Sequence, residues 1–317
     1  MIDVLVASKK AVTDDICVFE LASIDGAALP PFSAGAHIDV NLPDGMIRQY
    51  SLFNHSDEKH RYQIGVLRDP ASRGGSKAMH QQVNEGDRLQ ISEPRNHFPL
   101  AHDAKHSILF AGGIGITPIL CMAERLAHTG ASFELHYCAR TPAKAAFVEH
   151  IKASAFADNV HFHFDDGEAN QKLDAQSLLD TPQPDTHVYV CGPSGFIAHI
   201  LDTAEEHQWP VAQLHREYFA AEAVDTSNDG SFEVEISSTG QVVKIPADKS
   251  VIQVLDGLDI EIPFSCESGI CGTCLTRVLE GEPDHRDLFL TEAEQAQNDQ
   301  FTPCCSRSKS PRLVLDI

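Results

Sequence analysis

The sequence lacks several features that would place it in other classes of protein. It has no run of about 18 apolar residues, the length needed to span a membrane. Its first residues lack the charged and apolar regions of a signal peptide. Basic residues are scarce, with 24 Lys and Arg against 46 Asp and Glu, and the formal net charge is -22. Because nucleic acid requires a basic surface, we expect a cytoplasmic protein that binds neither nucleic acid nor a membrane.

The 17 histidines also lack a metal-binding pattern such as H-E-x-x-H. We expect nearly all of them to be solvated, with His161 and His163 on opposite faces of one strand. The composition is otherwise that of an ordinary globular protein, with 42% hydrophobic and 22% charged residues. A chain of 317 residues is long enough for two or three domains that each bury a core.

Much of the negative charge lies near the end of the chain. Residues 228–317 contain 16 Asp and Glu against 7 Lys and Arg, which leaves a net charge of -9. Two interpretations remain open. The acidic residues either keep the surface soluble or form a docking face that steers a basic protein partner.

Three cysteines in one loop carry the strongest chemical signal. Cys266, Cys271 and Cys274 have C-x4-C-x2-C spacing, and a fourth candidate, Cys304 or Cys305, follows about 30 residues later. This is the plant-type ferredoxin spacing for a 2Fe-2S cluster, which needs four thiolates around two irons. The alternatives are disulfides or structural zinc, but zinc sites usually show two separated C-x2-C pairs, and this chain has one. Nine cysteines with three crowded in one loop favour a metal in a reducing compartment.

Hydrophobic periodicity divides the chain into three domains. Residues 1–102 contain short alternating strands separated by turns, which predicts an antiparallel β-barrel. In residues 103–222 apolar strands alternate with helices, which predicts an α/β domain with a parallel sheet. The small and polar stretch 220–230 is typical of a linker. Residues 228–317 contain a hairpin pattern, a helix that Ser250 could cap and the cysteine loop, which predicts an α+β domain.

A glycine-rich turn follows the first strand of the second domain. Gly112, Gly113 and Gly115 place backbone amides at the start of a helix, which suits a pyrophosphate. The G-x-G-x-x-G fingerprint of dinucleotide-binding folds is incomplete, because Pro118 stands where the third glycine belongs. A tight strand-to-helix turn without a ligand therefore stays an alternative at this point.

Five motifs resemble, in order, those of the ferredoxin-NADP reductase superfamily. They are Arg48-x-Tyr50-Ser51, Gly74-Gly75-Ser76, Gly112-Gly113-x-Gly115-x-Thr117-Pro118, Cys191-Gly192-Pro193 and Glu217-x-Phe219. With a ferredoxin-type segment placed last, the whole chain resembles the phthalate dioxygenase reductase and vanillate demethylase reductase family. The resemblance implies an FMN-binding barrel domain, an NAD-binding α/β domain and a ferredoxin-like β-grasp domain.

The resemblance also bears on the fourth cluster ligand. Adjacent residues of a strand point to opposite faces, so we expect only one of Cys304 and Cys305 to reach the cluster. The ending Cys-x-Ser-Arg resembles that of the family and favours Cys304.

For the flavin, the resemblance implies that Arg48 serves the FMN phosphate and Tyr50 the ring or ribityl chain. The amides of Gly74, Gly75 and Ser76 would hold the phosphate at a helix start. Phe219 would cover a face of the ring, although Tyr50 and Phe219 taken alone indicate core aromatics. The other implied cofactor contacts are Gln49, Val66, Arg68 and Lys77.

For the nucleotide, the resemblance implies that the loop 112–115 and Thr117 meet NADH and that Arg140 reaches its ribose or phosphates. We also expect a strong preference for NADH over NADPH. Asp166 lies in an acidic turn after the third strand of this domain, where its carboxylate would repel the 2'-phosphate of NADPH. The alternative is that this acidic turn is solvated and points away from the nucleotide.

The resemblance implies three catalytic residues, Ser51, Cys191 and Glu217. Ser51 would approach flavin N5, the atom that accepts hydride, and Cys191 would lie beside the nicotinamide C4, followed by the contacts Gly192 and Pro193. A cysteine at the end of an apolar strand otherwise indicates buried packing. The position gains interest because open parallel sheets bind ligands at the carboxyl ends of their strands.

Together these features predict an NADH-dependent reductase that passes electrons through FMN and a 2Fe-2S cluster to a separate oxygenase. The expected partner is a Rieske-type aromatic-ring oxygenase or O-demethylase. A reductase of a di-iron monooxygenase is one alternative, and a redox-sensing electron carrier without substantial turnover is another. The aromatic substrate would bind the oxygenase, and this sequence therefore does not name it.

Overall fold

The computed structural model describes residues 1–43, 45–70, 74–219 and 229–317. The chain divides into two units, Met1–Phe219 and Ala220–Ile317. Apart from its last two residues, the predicted linker lies outside the described residues. The three domain boundaries expected from the sequence stay predictions.

The first part of the Met1–Phe219 unit is an antiparallel barrel. Its elements are β1 (Ile2–Ala11), β2 (Ile16–Ser23), β3 (His37–Asn41), β4 (Ile47–Ser51), β5 (Arg61–Leu67), α1 (Gly75–Gln82) and β6 (Arg88–Ile91). The strands are ordered β4-β3-β6-β1-β2-β5, and a bridge between Leu52 and Ile64 brings the two edge strands together. Closure gives each strand an inner face, where Val4, Phe19 and Ile64 are fully buried. The predicted alternation has this physical origin.

Helix α1 packs its middle turn into the barrel. Ala78 and Met79 are buried in the same core as the inward residues of the strands. Gly74 precedes the helix with φ of 106°, a conformation that glycine adopts without strain. The predicted Gly74-Gly75-Ser76 motif therefore lies at the start of a helix.

The rest of this unit is a five-stranded parallel sheet. Its elements are β7 (His106–Gly112), α2 (Ile116–Thr129), β8 (Ser132–Ala139), α3 (Val148–Lys152), β9 (Val160–Phe164), α4 (Ala175–Leu178), β10 (Thr186–Cys191), α5 (Ser194–Glu206) and β11 (Leu214–Glu217). The strand order is β11-β10-β7-β8-β9, and every pairing is parallel. The chain order reverses between β7 and β10. The carboxyl ends of these two strands are thus the topological switch point, where such sheets bind ligands.

Both faces of this sheet are covered. Leu109 and Tyr189 pack with residues of α2 on one face, and Phe110 and Val190 pack with residues of α5 on the other. A strand buried on both faces has no polar side, so residues 108–111 of β7 and 188–191 of β10 are all buried hydrophobic residues. The predicted α/β architecture follows from this burial.

One face of the sheet carries a histidine group that the sequence analysis did not anticipate. His136 on β8 is buried, and its ring stacks on His161 and His163 of β9 with centroids 5.0 and 5.3 Å apart. Residues two apart in a strand share a face, so the expectation of opposite faces for His161 and His163 was wrong. His136 Nδ1 lies 3.0 Å from His163 Nε2, which satisfies part of the hydrogen bonding of the two rings inside the fold.

The Ala220–Ile317 unit is built on a mixed sheet. Its elements are β12 (Phe232–Ile236), β13 (Gln241–Ile245), α6 (Val251–Asp256), β14 (Thr276–Glu280), β15 (Pro283–Asp284), α7 (Glu292–Gln295), β16 (Gln300–Phe301), β17 (Arg307–Ser308) and β18 (Arg312–Leu315). The main sheet has the order β13-β12-β18-β14-β16, in which β12 and β18 are parallel. Ser250 Oγ accepts from the Gln253 amide at 3.2 Å, and Gln253 Oε1 accepts from the Ser250 amide at 3.0 Å. This reciprocal pair confirms the predicted helix cap.

The first described residue of the second unit is tied to its body by two arginines. Asp229 accepts from Arg286 Nη1 and Nη2 at 2.9 and 2.6 Å and lies 3.3 Å from Arg307 Nε. All three side chains are largely buried. Breaking one side of a buried ion pair costs about 3–5 kcal/mol. This network therefore holds Asp229 firmly against the rest of the unit.

Candidate active site and metal centre

Four cysteine thiols meet inside the second unit. Cys266, Cys271, Cys274 and Cys304 are all buried. The Cys304 thiol contacts those of Cys266 and Cys274, and the Cys266 thiol also contacts that of Cys271. All nine cysteines of the chain are free thiols. Four converging sulfur ligands from one loop and one later turn fit a 2Fe-2S cluster.

The loop that carries three of these thiols depends on two glycines. Gly269 and Gly272 have φ of 71° and 66°. A Cβ at Gly269 would lie 2.5 Å from Cys305 Sγ, and one at Gly272 would lie 2.3 Å from the Phe289 ring. Both positions therefore need glycine for backbone conformation and for space.

Backbone amides of the loop point at its sulfur atoms. The amide of Ser268 donates to Cys266 Sγ at 3.5 Å, and the amide of Thr273 donates to Cys271 Sγ at 3.5 Å. Hydrogen bonds to ligand sulfurs stabilise their negative charge and help to set the reduction potential of a bound cluster. The loop can thus tune a cluster as well as hold it.

The two adjacent cysteines lie in a turn, at 303–305, between β16 and β17. The strand alternation expected for them was therefore wrong. Their thiols nevertheless have different surroundings, because Cys305 Sγ lies 3.3 Å from Thr302 Oγ1 and 3.8 Å from Ser306 Oγ. Cys304 is the one that touches Cys266 and Cys274, which supports the prediction that it is the fourth ligand.

In the barrel, the predicted phosphate-binding residues lie side by side. A Cβ at Gly75 would be 2.6 Å from both Cγ and Nε of Arg48, so the arginine side chain lies against the first turn of α1. Its Nη1 donates to the Ile47 carbonyl at 2.7 Å. A guanidinium beside the amides of a helix N-terminus is a suitable environment for a phosphate.

The other predicted flavin contacts range from buried to exposed. Tyr50 packs against the barrel core, and burial raises the pKa of its phenol above the usual range. Gln49 Nε2 donates to Asp39 Oδ1 at 3.0 Å, within the barrel. The Val66 side chain is buried in the core, so only its backbone is available for a cofactor. Ser76 Oγ accepts from the Asp69 amide, Arg68 and Lys77 are exposed, and Phe219 is 39% exposed.

The three predicted catalytic residues form one group. Ser51 Oγ, at the end of β4, donates to Glu217 Oε2 at 3.2 Å. Glu217 lies opposite Cys191 in the parallel pairing of β11 and β10. Burial raises the pKa of the Glu217 carboxyl to about 8, and the Ser51 hydroxyl lowers it in part. Burial and the neighbouring Glu217 raise the pKa of the Cys191 thiol, so this cysteine stays protonated and is no nucleophile near neutral pH.

The loops after β7 and β10 are in direct backbone contact. A Cβ at Gly115 would be 2.3 Å from the Cys191 carbonyl oxygen, and one at Gly192 would be 2.9 Å from Gly112 Cα. Pro193 also lies against Gly112, with its Cδ 3.0 Å from an added Cβ. The structure thus brings both predicted nucleotide loops together at the switch point, with no space for side chains between them.

Three further predicted nucleotide contacts differ in availability. Thr117 is buried, and its hydroxyl donates to the Ile114 carbonyl at 3.1 Å, which engages it within the loop. Arg140 and Asp166 are exposed after neighbouring strands β8 and β9. The Asp166 amide donates to the Arg140 carbonyl at 3.3 Å, so their backbones are adjacent.

Two residues of these sites were missed by the sequence analysis. The Phe196 ring lies under both Gly112 and Gly192, with its Cδ1 2.9 Å from a Cβ added at either glycine. Thr273 places its hydroxyl 3.2 Å from Cys271 Sγ. A position between two cysteines predicted as cluster ligands could have pointed to Thr273, whereas Phe196 shows no local signal in the sequence.

Comparison with known proteins decides the family. The oxidoreductase NAD-binding domain matches residues 109–202, and the 2Fe-2S iron-sulfur cluster binding domain matches residues 234–309. Vanillate O-demethylase oxidoreductase of Pseudomonas sp. strain HR199 is 60% identical over the full length of both chains. Phthalate dioxygenase reductase of Burkholderia cepacia is 42% identical over 98% of this chain and 96% of its own. The chain belongs to the phthalate dioxygenase reductase and vanillate O-demethylase reductase family.

The solved structures agree with this membership of the reductase family. A phthalate dioxygenase reductase structure superposes with a TM-score of 0.78 at 41% identity, covering 100% of this chain and 98% of that one. The predicted modular fold is confirmed, and the chain is an oxidoreductase that uses NADH, a flavin and a 2Fe-2S cluster. Within the described ranges, every helix of this reductase is too short or too polar to cross a membrane.

The thiol geometry predicts which cysteine the reductase needs for its cluster. We expect Cys304→Ala to lose most of its iron and labile sulfide, because three thiolates cannot complete the four-sulfur coordination of two irons. Cys305→Ala is the matched control and should keep both, together with the visible spectrum of the cluster. Iron and sulfide analysis of the two purified variants makes the comparison. An iron-free Cys305→Ala protein would move the assignment by one residue.

Burial of Glu217 predicts a pH dependence of stability. Its pKa is about 8 in the folded protein against an ordinary value of 4.5 for a glutamate, so between these pH values the folded state holds up to one more proton than the unfolded state. The stability contributed by this group therefore falls as the pH rises from 4.5 to 8. Glu217→Gln should remove this pH dependence, because glutamine does not titrate. The loss of stability that the wild type shows between the two pH values, up to a few kcal/mol, should be absent from the variant. The stability of both proteins is measured at pH 5 and pH 8 by following the rise in flavin fluorescence as each protein unfolds and releases its flavin. Parallel profiles would contradict the burial argument.

Proposed function

We propose that this reductase supplies electrons from NADH to a separate Rieske-type oxygenase or O-demethylase that acts on an aromatic compound. The observation that carries the proposal is the full-length 60% identity to a vanillate O-demethylase oxidoreductase, together with the 2Fe-2S cluster binding domain matched at residues 234–309 of this chain. A tert-butanol monooxygenase reductase subunit is 44% identical over 95% of this chain. Reductases of this family are therefore named for more than one kind of oxygenase, and the experiment below tests which kind accepts electrons from this chain.

The chain's own residues have separable tasks in this proposal. A bound flavin would accept hydride from NADH and release electrons singly to an iron-sulfur centre. Ser51 and Glu217 hold a proton in a buried hydrogen bond beside Cys191, at the carboxyl edge of the sheet. At Gly113, in the loop after β7, an added Cβ would meet no atom of the described residues within 4 Å, and a nicotinamide would approach the loops from that open side. In the second unit, four thiols and the loop amides hold a cluster.

The flavin in this proposal is FMN. Arg48 and the first turn of α1 provide one cationic group and a set of amides, which is the environment of a single terminal phosphate. The connection from β5 to α1 has seven residues, too few for a segment that holds an adenine. The mass of the released cofactor distinguishes FMN from FAD.

The proposed nucleotide preference is for NADH. Lys144, the nearest lysine in sequence to Arg140, donates to Asp15 Oδ2 at 2.6 Å and is engaged there. Asp166 lies beside the backbone of Arg140 at the edge where the ribose is expected. One uncompensated pair of charges about 5 Å apart costs roughly 3 kcal/mol at an effective dielectric of 20, a factor of about 100 in binding.

We therefore expect kcat/KM to favour NADH by roughly 100-fold, and Asp166→Ala to narrow that ratio by improving NADPH. Asp158→Ala is the control, because Asp158 precedes β9 at the opposite end of the strand. Equal efficiencies in the wild type would refute the preference. A ratio unchanged by Asp166→Ala would refute only the role of that residue.

The electron path is tested by removing the cluster alone. Cys271→Ser should abolish reduction of the oxygenase that works with the Pseudomonas vanillate O-demethylase oxidoreductase. It should leave NADH-driven reduction of ferricyanide largely intact, because the thiols and the flavin-binding residues lie in different units. Reduction of a di-iron hydroxylase in place of the Rieske protein would support the alternative partner. Negligible NADH oxidation by the wild type would favour an electron carrier.

A further inference from the structure

A lysine on the first strand holds the far end of helix α1. Lys9 Nζ, from β1, donates to the carbonyl of His80 at 2.7 Å and to that of Val83 at 2.6 Å. These are carbonyls at the end of the helix, which have no partner within it and carry partial negative charge. The ammonium also lies 5.5 Å from the centroid of the Phe19 ring. Lys9 thus supplies the charge that this helix end requires.

Helix α1 needs such support because it has only eight residues. A helix of this length is marginal on its own and takes its position from contacts with the barrel. His80 contributes one contact, since its Nε2 lies 2.8 Å from the Val66 carbonyl on β5. Burial lowers the pKa of His80, so its neutral ring is the donor and the positive charge comes from Lys9.

The other end of the same helix carries the proposed phosphate site. Arg48 from β4 lies against Gly75 in the first turn, so the helix is attached to the barrel at both ends. Eight residues of α-helix span about 12 Å, which places Lys9 too far from that turn to touch a phosphate. Any effect of Lys9 on the flavin must therefore pass through the orientation of the helix.

We propose that Lys9 is a positioning residue for the flavin. By holding the end of α1, Lys9 keeps the amides of the first turn of this helix aligned with the Arg48 side chain. This inference rests on the proposed FMN site. It assigns to β1, which contributes no residue to the family motifs, a role in recognising the phosphate end of the cofactor. The proposed effect is confined to the first turn of α1, so loss of Lys9 should affect binding of the phosphate selectively.

The experiment compares two flavins that differ only in the phosphate. FMN and riboflavin are titrated into full-length protein from which the flavin has been removed. We expect Lys9→Met to weaken FMN binding on the order of tenfold, the usual effect of losing a charged hydrogen bond. Riboflavin affinity should be unchanged. Lys9→Arg should restore FMN binding, and Lys10→Met, at the exposed neighbour, should bind both flavins as the wild type does.

Arg48→Met separates this inference from the proposed site. If Arg48→Met weakens FMN and Lys9→Met does not, the role of Lys9 is refuted and the phosphate site stands. If neither variant affects FMN, the phosphate site itself is wrong. Equal weakening of both flavins by Lys9→Met would assign Lys9 to general stability and would also refute the proposal.

A second readout serves if the Lys9→Met protein does not fold. Lys9→Gln keeps a hydrogen-bond donor without the charge, and its flavin-loaded form can be compared with the wild type by hydrogen-deuterium exchange. Exchange should increase at residues 75–83 and not across β7 to β10. Unchanged exchange at 75–83 would contradict the inference.

Discussion

Backbone contact between two loops is the constraint on which the first unit depends. The turn after β7 and the turn after β10 meet where Gly115 lies against the Cys191 backbone, and again where Gly112 lies against Gly192, with no space for a Cβ at any of the three glycines. Any side chain there would push apart the carboxyl ends of the two central strands. Because β11 pairs with β10, the same contact sets the position of Glu217. The glycines thus let the two strand ends lie in contact and fix the edge of the sheet at which a ligand is expected.

The group at that edge is governed by desolvation. A carboxylate buried without a cation is costly, so the Glu217 carboxyl is favoured in its neutral form, and the Ser51 hydroxyl relieves part of the penalty. Ser51 belongs to the barrel and Glu217 to the parallel sheet, within one unit of the chain. Perturbed titration at a ligand-binding edge is typical of a functional site. The same burial makes Cys191 an inert thiol and supports the packing interpretation of its side chain.

The second unit solves a different problem, because its centre is assembled from a short loop. Three thiols come from residues 266–274, where positive φ values at Gly269 and Gly272 turn the chain around its sulfur atoms. The fourth comes from a turn that follows β16. Backbone amides of the same loop donate to the sulfur atoms and stabilise thiolates there. This stabilisation is local to the loop.

What the sequence determined by itself is what local patterns encode. Cysteine spacing, strand alternation in 1–102 and apolar strands in 103–222 each follow from a few neighbouring residues, so the three-part architecture and the iron-sulfur cluster were predictable from them. The flavin and NADH were implied by the resemblance of five motifs to a known family. Tertiary structure alone decided the rest. The meeting of Cys304 with Cys266 and Cys274, the buried stack on His136 and the reach of Lys9 to the end of α1 depend on residues far apart in the chain. The periodicity of a sequence indicates which face of a helix or strand is buried. It does not indicate which residues from distant parts of the chain contact that face, and these three features are contacts of that kind.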